Sequence, residues 1–173
     1  MRLAKSIGVG LLALGLSGGV AQAATVTVND NFTMSGFGIG APVDPVTGSF
    51  SVTFDNTADI IDGTGITATI NTAVDGVFEF TYYASLDQLL VGGSANGASG
   101  VGSGTNDFLL TINTASTDPS ALLFDYIAGG SAAFTATSLT NSFSTDVPEP
   151  ASVLLFAMGC VGLAAARSRR AAG

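Results

Sequence analysis

The chain of 173 residues has no histidine, no tryptophan and only one cysteine. It also has few basic residues, and none of them lies between residues 6 and 166. A nucleic-acid-binding protein neutralises phosphates with lysine or arginine, so the central part of this chain is excluded from that class. The five basic residues are Arg2, Lys5, Arg167, Arg169 and Arg170.

These absences also exclude most catalytic sites. Hydrolase triads pair a nucleophile with histidine or lysine, and a Walker loop needs lysine. Only carboxylates remain as catalytic groups. Asp75 and Glu79 would lie about 13 Å apart in one strand, beyond the roughly 5 to 9.5 Å that glycosidases use. We therefore expect no enzymatic activity. The spacing of neighbouring carboxylates does not exclude a catalytic pair formed by two carboxylates that are distant in sequence.

Acidic residues dominate the charge. The chain has thirteen Asp and Glu and a net charge of −8, and such a protein attracts cations outside the cell. Asp55, Asp59 and Asp62 lie close together in a stretch rich in Asp, Asn and Gly, and we predict them as candidate calcium ligands. Their spacing differs from an EF-hand, and the same residue types also form simple turns. We expect no other cofactor.

The N-terminal segment has the three parts of a secretory signal peptide. Arg2 and Lys5 precede an apolar stretch at residues 7–16, and a small-x-small pattern ends at Ala21 and Ala23. An apolar stretch of about ten residues is too short to span the membrane. We predict a signal peptide at residues 1–23, with cleavage after Ala23.

The C-terminal segment also has three parts in order. Val147, Pro148, Glu149 and Pro150 are followed by an uncharged apolar run at residues 151–166 and then by Arg167, Arg169 and Arg170. The run predicts a short transmembrane helix of about 24 Å, with the arginines on the cytoplasmic side. The two prolines keep the preceding segment extended and accessible to a processing enzyme.

This arrangement resembles the PEP-CTERM sorting signal of Gram-negative bacteria that make extracellular polysaccharide. The resemblance covers residues 147–170 and implies recognition by exosortase, a membrane-embedded cysteine-dependent processing enzyme, with Pro148, Glu149 and Pro150 as the matching motif. It further implies transient anchoring in the inner membrane, followed by a place at the cell surface or outside the cell. Association with exopolysaccharide or biofilm follows from the same resemblance.

Residues 24–146 form the predicted exported domain. Phe50, Val52 and Phe54 alternate with hydroxylated residues, as do Ile66, Ala68 and Ile70, and this pattern predicts an all-β fold, either a two-sheet sandwich or a jelly roll. Residues 85–91 fit a short helical turn or a strand, and the glycine-rich residues 92–106 fit a flexible surface loop. A carbohydrate-binding or calcium-dependent adhesion module is the alternative function. Further strands are predicted at residues 25–28, 31–36, 77–84, 108–113, 121–127 and 133–143.

Overall fold

A computed structural model describes residues 25–130 and 132–147 of the chain. Every regular element in this part is a β-strand, which confirms the all-β prediction. The predicted signal peptide at residues 1–23 and the predicted C-terminal helix at residues 151–166 lie outside the described residues. The strands are β1 (Thr25–Ser35), β2 (Val46–Asp55), β3 (Ile60–Gly63), β4 (Thr67–Ile70), β5 (Phe78–Tyr83), β6 (Gln88–Gly93), β7 (Asn106–Asn113), β8 (Ser120–Ala128), β9 (Phe134–Thr135) and β10 (Ser138–Asp146).

The strands form two antiparallel sheets that pack face to face. One sheet has the order β10-β1-β2-β4, and the other has the order β3-β5-β6-β7-β8-β9. Alternation places apolar residues of both sheets in one shared core. The two sheets therefore bury one layer of side chains between them, as a sandwich does. Among the described residues there is no helix of the length and apolarity that a membrane crossing requires.

Aromatic rings join the two sheets across this core. Phe124 of β8 is fully buried, and its ring centroid lies 5.8 Å from Phe32 of β1 and 5.9 Å from Phe108 of β7. Near the other end of the core, the ring centroid of Phe54 of β2 lies 4.4 Å from that of Tyr82 of β5. These contacts place phenylalanines of both sheets in the shared core.

The outward face of the four-stranded sheet, which we call the polar face, consists of serine, threonine and asparagine on β1, β2, β4 and β10. Asp55 and Asp146 are the charged residues among the described side chains of this face. Neighbouring hydroxyls pair across the strands, as between Thr27 and Thr53, whose oxygens lie 2.8 Å apart. The face is hydroxylated and nearly uncharged.

The strand boundaries differ from the predicted ones in three places. β1 continues through Asn29 and Asp30, where two separate strands were expected, and β3 was not expected at all. Residues 88–93 form strand β6, so the strand alternative for that region is correct. The expected strand at residues 133–143 is divided into β9 and β10, and β10 continues to Asp146.

Candidate functional site

β10 leads directly into the proline-containing motif. Its last residue, Asp146, pairs with Thr27 of β1, and the next residue, Val147, is half exposed. Pro148, Glu149 and Pro150 lie outside the described residues. Val147, the first residue of the motif, therefore follows the folded sheet directly, and any enzyme that binds the motif must work close against the end of the sandwich.

The N-terminal end of the exported domain lies at the same place. β1 begins at Thr25, directly after the predicted cleavage site at Ala23, and its pairing with β10 is antiparallel. Thr25 also pairs with Asp55 at the end of β2. Both chain ends of the domain thus leave the same sheet at the same end, which we call the terminal end.

A buried carboxylate holds β10 against β1. Asp30 of β1 faces the core and is 1% exposed. Its carboxylate accepts hydrogen bonds from the Asn141 side chain at 2.6 Å and from the Ser142 backbone N–H at 3.1 Å. Burial raises the pKa of Asp30 above its ordinary value, although these hydrogen bonds act in the opposite direction. The strand that carries the motif is therefore fastened from inside the core.

We expect Asp30→Asn to weaken the pH dependence of stability. Because the pKa of Asp30 is raised in the folded protein, the stability of the wild type falls as pH rises from about 3.8, its unfolded value, through the raised value. Asparagine at position 30 can still accept from the Ser142 N–H, and it can donate to the Asn141 side-chain oxygen once the Asn141 amide has turned over. It also avoids a buried negative charge. The variant should be more stable at neutral pH by about 1 kcal/mol, measured by urea denaturation across the pH range.

Asn141→Ala provides the opposite comparison, because it removes a hydrogen bond that lowers the pKa of Asp30. Its stability should fall more steeply with pH than that of the wild type. Identical pH profiles for the wild type and Asp30→Asn would contradict the role given to this carboxylate.

The three candidate calcium ligands bind separate backbone segments. Asp55 accepts hydrogen bonds from both the N–H and the hydroxyl of Thr57, an arrangement that closes a turn and lowers the pKa of Asp55. Asp59 accepts from the Ala84 N–H at 2.7 Å. Asp62 accepts from the Ala98 N–H at 3.2 Å. In the described part of the chain, no group of three or more His, Cys, Asp or Glu is arranged to hold a metal, and calcium binding stays a prediction.

The glycine-rich connection between β6 and β7 is held by a carboxylate that sequence reasoning missed. Asp107 is fully buried and accepts hydrogen bonds from the Gly93 N–H, the Phe108 N–H and the Asn96 side chain, at 2.8 to 2.9 Å. Burial raises the pKa of Asp107. The connection predicted as a flexible loop is thus fastened at its base by three hydrogen bonds to this carboxylate.

A family model of the PEP-CTERM protein-sorting motif matches residues 146–170. The chain carries a PEP-CTERM sorting signal. No curated protein and no solved structure matches the chain. The PEP-CTERM match covers the tail only, and it begins at Asp146, the last residue of β10.

The PEP-CTERM signal establishes the route that the protein takes. It marks a secreted protein of Gram-negative bacteria that is transiently anchored in the membrane and processed by exosortase. In this chain the PEP-CTERM signal starts where the folded sheet stops, so exosortase meets its substrate at the terminal end of the sandwich. Val147 is the one residue of the proline-containing motif that the structure describes.

Proposed function

We propose that this protein is a non-enzymatic component of the cell surface or extracellular matrix. A signal peptide at residues 1–23 exports the sandwich, and a helix at residues 151–166 holds it with Arg167, Arg169 and Arg170 on the cytoplasmic side. Exosortase then releases it or transfers it to its final place. The observation that carries the proposal is the sorting signal attached without a linker to a domain that lacks the usual catalytic bases.

The environment of the carboxylates supports a non-enzymatic role. Asp30 and Asp107 are buried and bonded to neighbouring backbone and amide groups. Asp75 accepts two hydrogen bonds from Asn106, which lower the pKa of Asp75. A glycosidase needs one carboxyl group with a raised pKa beside a second carboxylate in an open cleft. Asp30, Asp75 and Asp107 instead fasten turns and strands.

We further propose that the released protein associates with exopolysaccharide through the polar face. Neutral sugar polymers are hydroxyl-rich, and the polar face offers rows of hydroxyl and amide groups with little charge. The described domain has no positive side chain for binding an acidic polymer. The resemblance to sorted proteins of polysaccharide-producing bacteria points in the same direction.

Sedimentation of the released protein with the producing organism's cell-free polysaccharide tests this association. We expect Asn31→Glu, in the middle of the polar face, to weaken binding roughly tenfold, because the new charge must lose water against a neutral polymer. Leu122→Glu is the matched control, since Leu122 is 58% exposed on β8 of the other sheet. Equal binding by both variants would contradict a role for the polar face.

A second arm of the same experiment compares calcium with a chelator. Binding that depends on calcium would favour the adhesion alternative, with Asp55, Asp59 and Asp62 as the candidate calcium ligands. A wild-type protein that sediments no more than an unrelated acidic protein would refute the polysaccharide association and leave the sorting route intact.

A further inference from the structure

The sorting signal and the folded sheet overlap at one residue. The match to the sorting-motif model begins at Asp146, and Asp146 is also the last residue of β10, where it pairs with Thr27 of β1. An enzyme that binds a peptide as an extended strand needs the main chain of that peptide free for its own hydrogen bonds. The residues directly before the motif are instead held in the sheet.

The last three residues of β10 (144–146), which we call the end segment, have few side-chain contacts to hold them. Phe143, just before them, packs against the core. The next inward-facing position is Thr145, which brings a hydroxyl to the core instead of an apolar side chain. Ser144 is exposed, and its hydroxyl accepts from the Asn29 side chain at the long distance of 3.4 Å. The end segment is therefore held to β1 mainly by backbone pairing.

The hydroxyl of Thr145 weakens this pairing further. Thr145 pairs with Val28 of β1, which is fully buried. The Thr145 hydroxyl oxygen is itself buried, and it has no hydrogen-bond partner among the described residues. Such a hydroxyl has given up its bonds to water without replacing them, which costs free energy in the paired state. Because unpairing of the end segment returns the hydroxyl to water, this strand end opens more readily than one whose polar groups are all bonded.

The residues directly before the end segment oppose any further opening. Phe143 is partly buried against the core. The carboxylate of Asp30 accepts hydrogen bonds from the Asn141 side chain and the Ser142 N–H. These contacts hold β10 to β1 at residues 141–143, so opening is confined to the end segment. Three residues of strand span about 10 Å, and that is the length of chain that opening adds before the motif.

We propose that the end segment detaches from β1 when exosortase binds and becomes the upstream part of the bound substrate strand. Thr145 is then a positioning residue, because its hydroxyl sets how readily the segment detaches. The inference rests on the proposed processing by exosortase. Among the described strands, β10 pairs with β1 alone. Binding of exosortase to the other edge of β10 is therefore the alternative, and it leaves the pairing intact and gives the Thr145 hydroxyl no role.

Thr145→Val in the full chain tests the proposal. Valine replaces the unpartnered hydroxyl with a methyl group and keeps the β-branched shape, so it should hold the end segment more firmly. We expect hydrogen exchange of residues 144–146 in the detergent-solubilised precursor to slow about tenfold, and processing in cells that contain exosortase, followed by pulse labelling, to slow at least roughly fivefold. Thr140→Val is the matched control, because Thr140 lies exposed on the same strand, and it should be processed at the wild-type rate.

A second copy of the variant's own last three strand residues, Ser-Val-Asp, inserted between Asp146 and Val147, separates detachment from direct recognition of the hydroxyl. It supplies free chain before the motif without restoring the hydroxyl, so Thr145→Val should regain the wild-type rate. Unchanged hydrogen exchange, unchanged processing of Thr145→Val, or slow processing that the insertion does not restore would each overturn the proposal.

The wild type distinguishes this failure from failure of the sorting route. A wild-type chain that keeps its arginine tail in cells that contain exosortase would refute the sorting route and this inference together. Processing of the wild type and of Thr145→Val at the same rate would refute only the detachment of the end segment.

Discussion

Replacing both Pro148 and Pro150 with alanine should leave the protein uncut in cells that contain exosortase. The prolines lie in the motif that the sorting family model recognises, and proline restricts its own backbone and that of the preceding residue to conformations outside the helix interior. Alanine lifts this restriction and favours helix, so we expect the double variant to lose the backbone shape that exosortase recognises. We expect the membrane fraction to hold the precursor with an intact arginine tail, and the amount outside the membrane to fall at least tenfold.

Mass spectrometry of the C-terminus measures this result, and Pro119→Ala is the matched control because Pro119 lies in a surface connection before β8. The control should be processed like the wild type. A double variant whose mature C-terminus still lies near residue 150 would show that exosortase does not require the prolines. Deleting residues 147–173 should also divert the protein, since it removes anchor and signal together.

Phe124→Ala should destabilise the domain by about 3 to 5 kcal/mol, which is the usual cost of removing a fully buried phenylalanine. The ring of Phe124 contacts Phe32 and Phe37 on one side of the core and Phe108 and Tyr126 on its own sheet. A cavity at this point loses contacts in both sheets. The chain also has no disulfide within the described domain, because its single cysteine is Cys160, so packing must supply most of the stability.

Urea denaturation of the released protein gives the free energy of unfolding. Leu122→Ala is the matched control: it lies on the same strand, but its side chain is 58% exposed. The control should change stability by less than about 1 kcal/mol. Equal losses in the two variants would mean that Phe124 does not occupy the shared core.

The alternation of apolar and hydroxylated residues was sufficient to predict the fold class and most strands. Phe50, Val52 and Phe54 are buried as expected. Of the adjacent tyrosines, Tyr82 is buried and Tyr83 is partly exposed, as opposite faces of a strand require. The sorting signal was equally clear, because its three parts are local in sequence and follow one another in fixed order.

The buried carboxylates could not be predicted in the same way. Asp30 stands between Asn29 and Asn31, a run typical of a turn, and only its distant partners Asn141 and Ser142 explain its place inside a strand. Asp107 has the same kind of partners, from residues at the base of the glycine-rich connection. The order of strands in each sheet also depends on such long-range contacts. The local sequence pattern therefore predicted the strands but not which strands pair with each other.

The direct junction between β10 and the tail has a mechanical consequence. When the sandwich is held at the end opposite the terminal end and the tail is pulled away from it, tension runs parallel to β10. Load in that direction is shared by the whole ladder between β10 and β1, whereas load across the strands would open its bonds one after another. A tethered copy is thus attached through the geometry in which a sheet best resists rupture.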